Sequence, residues 1–127
     1  MALIDHNEIN KRIRDKVTFS LSMAQDDTPL EGNVTAIDDE TDAENERIIR
    51  ERLQSGDDWA WCVVTVTATL GPWSGRDVLC GCSYLNEKDF RAGGYYDDMQ
   101  EEAIARLASN LIETVGALEA LGIEVHL

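Results

Sequence analysis

Trp59-Ala60-Trp61-Cys62-Val63-Val64-Thr65-Val66-Thr67-Ala68-Thr69-Leu70, followed by Gly71-Pro72-Trp73-Ser74-Gly75, is the stretch that decides the fold. Ala60, Cys62, Val64, Val66, Ala68 and Leu70 fall on one side of an extended chain and are all apolar. Trp59, Trp61, Val63, Thr65, Thr67 and Thr69 fall on the other. Alternation at a period of two, rich in β-branched residues, predicts a strand with one core face and one mixed face. Gly71 to Gly75 reads as a turn-rich loop that places Trp73 at its tip, and Asp77 to Leu85 reads as the return strand of a β-hairpin.

C-terminal to the hairpin, Asn86 to Gly94 reads as a connector ending in two glycines. Ile104, Leu107, Ala108, Leu111, Ile112, Val115 and Leu118 then form one broad apolar stripe at helical spacing, with Asp97, Asp98, Glu101 and Glu102 loading its start, where the helix dipole favours negative charge. This helix is expected to pack on the apolar face of the hairpin. Gly122 is placed to end it, and Ile123 to Leu127 alternates like a final strand.

N-terminal to the hairpin, Asp5 and Glu8 have capping-box spacing, and Ile9, Ile13, Val17 and Leu21 recur every four residues, which predicts a helix ending near Met23 to Gln25. Val17 to Leu21 also alternates and reads equally as a strand. Asn33 to Ile37 is short and β-branched enough for an edge strand. Thr41 and Glu44 form a second capping-box pair, ahead of Ile48, Ile49 and Leu53 on one face and Ser55-Gly56 as a stop signal. The fold class is therefore α+β: a small antiparallel sheet centred on the β-hairpin, packed against a long C-terminal helix, with two additional helices in the N-terminal half. At 127 residues the chain suits one domain, 1–127, with an acidic segment at 26–58 inside it.

Charge is the outlying property: 25 acids against 11 bases leave −14. Residues 26–58 hold twelve of the acids and three of the bases, whereas residues 1–25 hold three acids and four bases. Nucleic-acid binding relies on Lys and Arg neutralising phosphates, so this balance disfavours direct contact with DNA or RNA. Two plain readings of the acidity are solubility and an organism with high internal salt. No stretch approaches the ~18 consecutive apolar residues of a membrane span, and Met1 to His6 lacks the basic and apolar regions of a signal peptide, so a cytoplasmic protein without membrane contact is expected.

Chemistry-bearing patterns are sparse. Cys80-Gly81-Cys82, with Cys62 on the paired strand, would place Cys80 and Cys82 on one face at i and i+2. A closed zinc site needs four ligands, and only His6 and His126, at opposite ends of the chain, remain to complete one. No metal or other cofactor is expected. Neither histidine sits in a motif with a nucleophile, Asp57-Asp58 and Asp97-Asp98 are neighbours that do not face each other on a helix, and Gly93-Gly94 lacks the phosphate-loop pattern. No catalytic role is assignable, and the chain reads as non-enzymatic.

Trp61-Cys62-Val63, Gly81-Cys82-Ser83-Tyr84, Phe90, Tyr95-Tyr96 and Asp98-Met99 through Ala103 together resemble a pattern in small proteins encoded by bacteriophages and prophages. The resemblance covers roughly the second half of the chain and implies a viral origin. By analogy of size and charge, such proteins include anti-CRISPR and anti-restriction inhibitors, classes defined by activity and not by descent. It carries no functional residue across. The function expected is inhibition of a basic nucleic-acid-binding host protein or complex, with carboxylates standing where phosphates would lie. The candidate contact residues are Asp38, Asp39, Glu40, Asp42, Glu44, Glu46, Asp97, Asp98, Glu101 and Glu102, plus Trp73 as an exposed aromatic anchor. The alternative is a phage accessory or structural protein that assembles through an aromatic face with another phage protein or with itself, as a homodimer.

Overall fold

In the computed structural model, which describes residues 5–34 and 39–125, Asp5 caps the first helix by accepting a hydrogen bond from the Asn7 N–H at 3.0 Å. Helix α1 (His6–Ile13) buries Ile9 and Ile13 on its inner side. The four-residue repeat does not carry the helix on through Val17 and Leu21. The chain leaves α1 after Ile13 and forms strand β1 (Thr18–Gln25), in which Leu21 and Met23 are half-buried and their neighbours exposed. Of the two readings of this segment the strand is the one realised, because β-branched Val17 and Thr18 suit extended backbone and the hairpin offers an edge to pair with.

Asn33 lies in a turn and Val34 in a bend, not in an edge strand, and the rest of that expected strand lies outside the described residues. Helix α2 (Asp39–Gln54) begins ahead of Thr41, so Thr41 sits inside the helix and not at its cap. It stops where expected. Gly56 takes φ +91°, its N–H donates to the Leu53 carbonyl at 3.0 Å, and the Asp57 N–H donates to the Arg52 carbonyl at 2.9 Å. That pair of bonds is the Schellman arrangement, which needs a residue tolerant of left-handed backbone.

A short 3₁₀ turn (Asp58–Ala60) takes up Trp59 and Ala60, so strand β2 spans Cys62–Leu70. Its inward positions Cys62, Val64, Val66 and Ala68 are fully buried. Gly71 (φ +56°) and Pro72 alone make the turn, as in a two-residue hairpin loop whose first position needs positive φ. Strand β3 (Trp73–Cys82) therefore starts four residues earlier than the sequence predicted and absorbs Trp73, Ser74 and Gly75.

Along β3 the inward positions are Gly75, Asp77 and Leu79, and then Cys82. One extra residue has entered the alternation at Cys80-Gly81, where Gly81 takes φ +60°, the signature of a β-bulge. Cys80 is exposed while Cys82 is half-buried, which corrects the expectation that they share a face.

The three strands form one antiparallel sheet in the order β1-β2-β3. The expected connector contains a further helix, α3 (Glu87–Ala92). It is capped by Asn86, whose side chain accepts from the Asp89 N–H at 2.9 Å while the Asp89 carboxylate accepts from the Leu85 N–H at 2.9 Å. Helix α4 (Gly94–Ala120) is the long C-terminal helix. Gly122 ends it with a second Schellman pair: Gly122 N–H to Glu119 and Ile123 N–H to Leu118, each at 2.9 Å. Ile123 to Val125 is not a strand, and the last two residues of that expected strand lie outside the described residues. The fold is α+β, and no helix among the described residues is long and apolar enough to cross a membrane.

The chain divides into two compact units, each assembled from separate stretches of sequence: Met1–Ser20, Val66–Asp77 and Asp97–Leu127 in the first, Leu21–Thr65 and Val78–Tyr96 in the second. In the first unit, Ile9, Ile13, Ala68, Ala103, Ile104, Leu107 and Ala108 form the core, with Leu70, Trp73, Leu111 and Ile112 at its margin. Gly75 is essential to this packing, since a Cβ there would run into the α4 backbone at Ala103 and Leu107. In the second unit, Ile49, Ala60 and Trp61 pack with Leu30, Val34 and Leu53. A separate aromatic group gathers around the fully buried Phe90, with Tyr84 edge-on at 5.0 Å, Tyr96 at 5.9 Å and Trp59 at 6.2 Å.

Candidate functional site

Acidity is concentrated in the second unit, whose sequence has fourteen acids and five bases against eleven and six in the first. Helix α2 supplies much of it. Asp39, Glu40, Asp42, Glu44 and Glu46 come before any base in the helix, and Arg47, Arg50 and Arg52 follow. Glu40, Glu44, Arg47 and Glu51 lie three or four residues apart and are all exposed, so they form one solvent-facing row. Asp42 and Glu46 are half-buried, and Asp38 lies outside the described residues.

Arginines neutralise part of this row. Arg47 holds Glu44 at 2.5 Å and Glu51 at 2.6 Å, and its guanidinium keeps the Glu44 carboxyl below the usual carboxylate range. Arg50 reaches Glu31 at 2.9 Å and Glu46 at 3.8 Å. Arg52 turns inward. Its guanidinium bridges the Asp57 carboxylate at 2.8 Å and the Tyr84 carbonyl at 2.5 Å, which makes it a structural tie and not part of a charged surface.

The second acidic cluster belongs to the first unit. Glu101 forms a two-bond pair with Arg14, one bond at 2.7 Å, and this guanidinium lowers the Glu101 pKa. Glu102 pairs with Arg106 at 3.2 Å. Asp97 and Asp98 are exposed and make no ion pair with the described residues, so half of the cluster presents uncompensated charge. Sequence reading missed Arg14 and Arg106 as neutralising partners; Arg106 sits four residues after Glu102, a spacing that signals it, whereas Arg14 lies 87 positions away from Glu101.

No family model, no curated protein and no solved structure matches the chain.

The aromatic candidates are oriented inward. Trp73 is not at a loop tip: it opens β3, is half-buried against the first unit's core, and donates its indole N–H to the Thr114 hydroxyl at 3.1 Å. The turn that was expected to expose it consists of Gly71 and Pro72 only. Trp61 is 4% exposed and donates its indole N–H to the Thr28 carbonyl at 2.8 Å. Trp59 is half-buried beside Phe90.

Cys62 and Cys82, from neighbouring strands, bring their sulfurs to 3.5 Å. Among the described residues no group of three histidine, cysteine or carboxylate side chains is arranged to hold a metal ion.

Proposed function

We propose that the chain is a non-enzymatic, phage-type inhibitor that binds a basic, nucleic-acid-handling defence protein of the host cytoplasm, in the manner of anti-CRISPR or anti-restriction proteins. The observation that carries this reading is the exposed row of Glu40, Glu44 and Glu51 on a sixteen-residue helix. A helix of that length is about 24 Å long. Duplex DNA carries one charge per ~1.7 Å of axis, so fourteen net charges correspond to about 24 Å, or roughly seven base pairs. The fourteen belong to the whole chain; α2 itself has six acids and three bases, so the helix supplies the length of such a groove's ligand and only part of its charge. Asp97 and Asp98 offer a second, independent patch of uncompensated charge. The inward hydrogen bonds of Trp61 and Trp73 lend no support to assembly through a tryptophan face.

The test is binding to an identified basic partner, followed as a function of salt. Changing Glu40, Glu44 and Glu51 to glutamine is expected to lower the association rate by roughly tenfold or more, flatten its salt dependence and relieve inhibition of the partner's nucleic-acid binding. Unchanged affinity and unchanged salt dependence would show that the acids serve only as a solubilising coat.

A further inference from the structure

We propose that Cys62 and Cys82 form a redox site: a dithiol that a small disulfide of the glutathione type oxidises to a cross-strand disulfide, and that small thiols reduce again. The pair lies wholly within the second unit and does not depend on the acidic surface.

Geometry carries the proposal. Cys62 opens β2 and Cys82 closes β3, on strands that are neighbours in the sheet, with their sulfurs 3.5 Å apart. Each sulfur also lies near the other residue's carbonyl oxygen, Cys62 Sγ at 3.4 Å and Cys82 Sγ at 3.1 Å, so the two side chains point into one shared space. Directly opposed residues of antiparallel strands have Cα atoms about 4.5 to 5.5 Å apart, inside the roughly 4.4 to 6.8 Å that a disulfide spans. Closing the bond brings sulfurs now 3.5 Å apart to the roughly 2.05 Å of a disulfide, a step within reach of side-chain rotation.

The bulge sets up this opposition. Without the extra residue at Cys80-Gly81, regular alternation would turn Cys82 to the outer face of β3. The bulge is anchored from outside the hairpin: the Asp26 carboxylate accepts from the Gly81 N–H at 2.6 Å, and the Trp61 ring packs against Gly81. Asp26 is itself held by its N–H bond to the Trp61 carbonyl at 3.0 Å.

The two thiols have different tasks. Cys82 is half-buried, the more exposed of the two, and a hydrogen bond from Cys62 favours its thiolate. Cys62 is fully buried and pushed up by that same bond and by burial, as suits a thiol that reacts second. Asp26 opposes ionisation of both, while Arg52 favours it at Cys62. In the first step the Cys82 thiolate attacks one sulfur of the small disulfide, forming a mixed disulfide and expelling one small thiolate. In the second, the Cys62 sulfur loses its proton and attacks Cys82 Sγ, forming the Cys62–Cys82 bond and releasing the second small thiol. Two protein thiols and one small disulfide become one protein disulfide and two small thiols, so electrons and protons balance. No third ligand stands ready among the described residues, which favours thiol exchange over metal binding as the chemistry of the pair.

The test uses the full chain with Cys80→Ser, which removes the exposed thiol. Oxidised glutathione should convert it to a monomer lacking two hydrogens and both titratable thiols, with peptide mapping joining Cys62 to Cys82 and dithiothreitol restoring both. Adding Cys62→Ser should stop the reaction at one glutathionyl group on Cys82. Because Cys62 is buried and its replacement risks the fold, Cys82→Ser serves as the second variant, and there Cys62 should react at least about tenfold more slowly than Cys82 does. Two free thiols after prolonged oxidation of the Cys80→Ser chain would overturn the proposal. So would a stable mixed disulfide on Cys82 while Cys62 is present.

Discussion

The two units solve the same packing problem with different materials. In the first, one ridge of aliphatic and small residues on α4 meets Ala68 of the hairpin and the two isoleucines of α1, and the side chains in the core carry no polar atom. In the second, the apolar groups around Ile49 and Phe90 are joined by directional contacts between residues far apart in sequence: part-buried ones from Trp61 to Thr28, Arg52 to Tyr84 and Cys62 to Cys82, and an exposed one from Gly81 to Asp26. An aliphatic ridge tolerates small displacements, because dispersion and burial change gradually with position. Directional contacts do not, because an unpaired buried donor or acceptor costs about 1 to 3 kcal/mol outright. The core of the first unit is held by area, and the second adds addresses to its apolar groups.

Three substitutions sharpen that contrast. The largest effect is expected at Leu107, fully buried in the first unit: Leu107→Ala should cost about 2 to 5 kcal/mol in reversible denaturant unfolding. A loss below about half a kcal/mol would break the claim that the ridge holds this unit together. Next comes Trp61→Phe, which keeps most of the ring but removes the indole N–H and leaves the Thr28 carbonyl without it. A loss of about 1 to 3 kcal/mol is expected, and amides of the second unit should lose protection from hydrogen exchange. A neutral result would make the second unit another area-held core.

The smallest effect is expected for Asp26→Asn, about 1 kcal/mol at neutral pH, and it carries a pH signature. Hydrogen bonds from the backbone of Thr28, and then of Gly81, lower the Asp26 pKa in the folded chain. A depressed folded pKa means the contribution is complete above the unfolded value of about 3.9 and is lost as pH falls through the lower folded value. The unfolding curves of the wild type and of the Asp26→Asn variant should therefore converge on acidification through that window. Parallel curves from neutral pH to about pH 2 would show that Asp26 anchors nothing.

This division also explains what the sequence made legible. The period-two run from Trp59 to Leu70 and the stripe from Ile104 to Leu118 are averages over many residues, and both elements appear, the strand shortened to Cys62–Leu70 by the 3₁₀ turn that takes up Trp59 and Ala60. Patterns that rest on a few residues did worse. Thr41 and Glu44 have capping-box spacing but lie inside α2, which begins at Asp39. Val17 and Leu21 continue a helical repeat that the neighbouring strand overrides. Helix α3 escaped notice because six residues are too few to show a period, although Asn86 three positions before Asp89 is the cap that marks it. Trp73 was misplaced for a backbone reason: Gly71 and Pro72 suffice for the turn, so the residues after them were free to extend. The acidic candidates were legible as composition. Their neutralisation by Arg14 was not, because an ion pair between residues 87 positions apart leaves no local trace.

Gly75 has a consequence for how the first unit can vary. Where β3 crosses α4 at this residue, backbone faces backbone, so the gap between strand and helix is fixed by atoms that every amino acid possesses. The side chains around it can be exchanged for others of similar volume without altering that gap. Position 75 itself works as a feeler gauge: one added methyl group is thick enough to lever the hairpin away from the helix. A library built on this chain should hold residue 75 constant and let its neighbours drift, and Gly75→Ala is the narrowest wedge with which to open the seam deliberately.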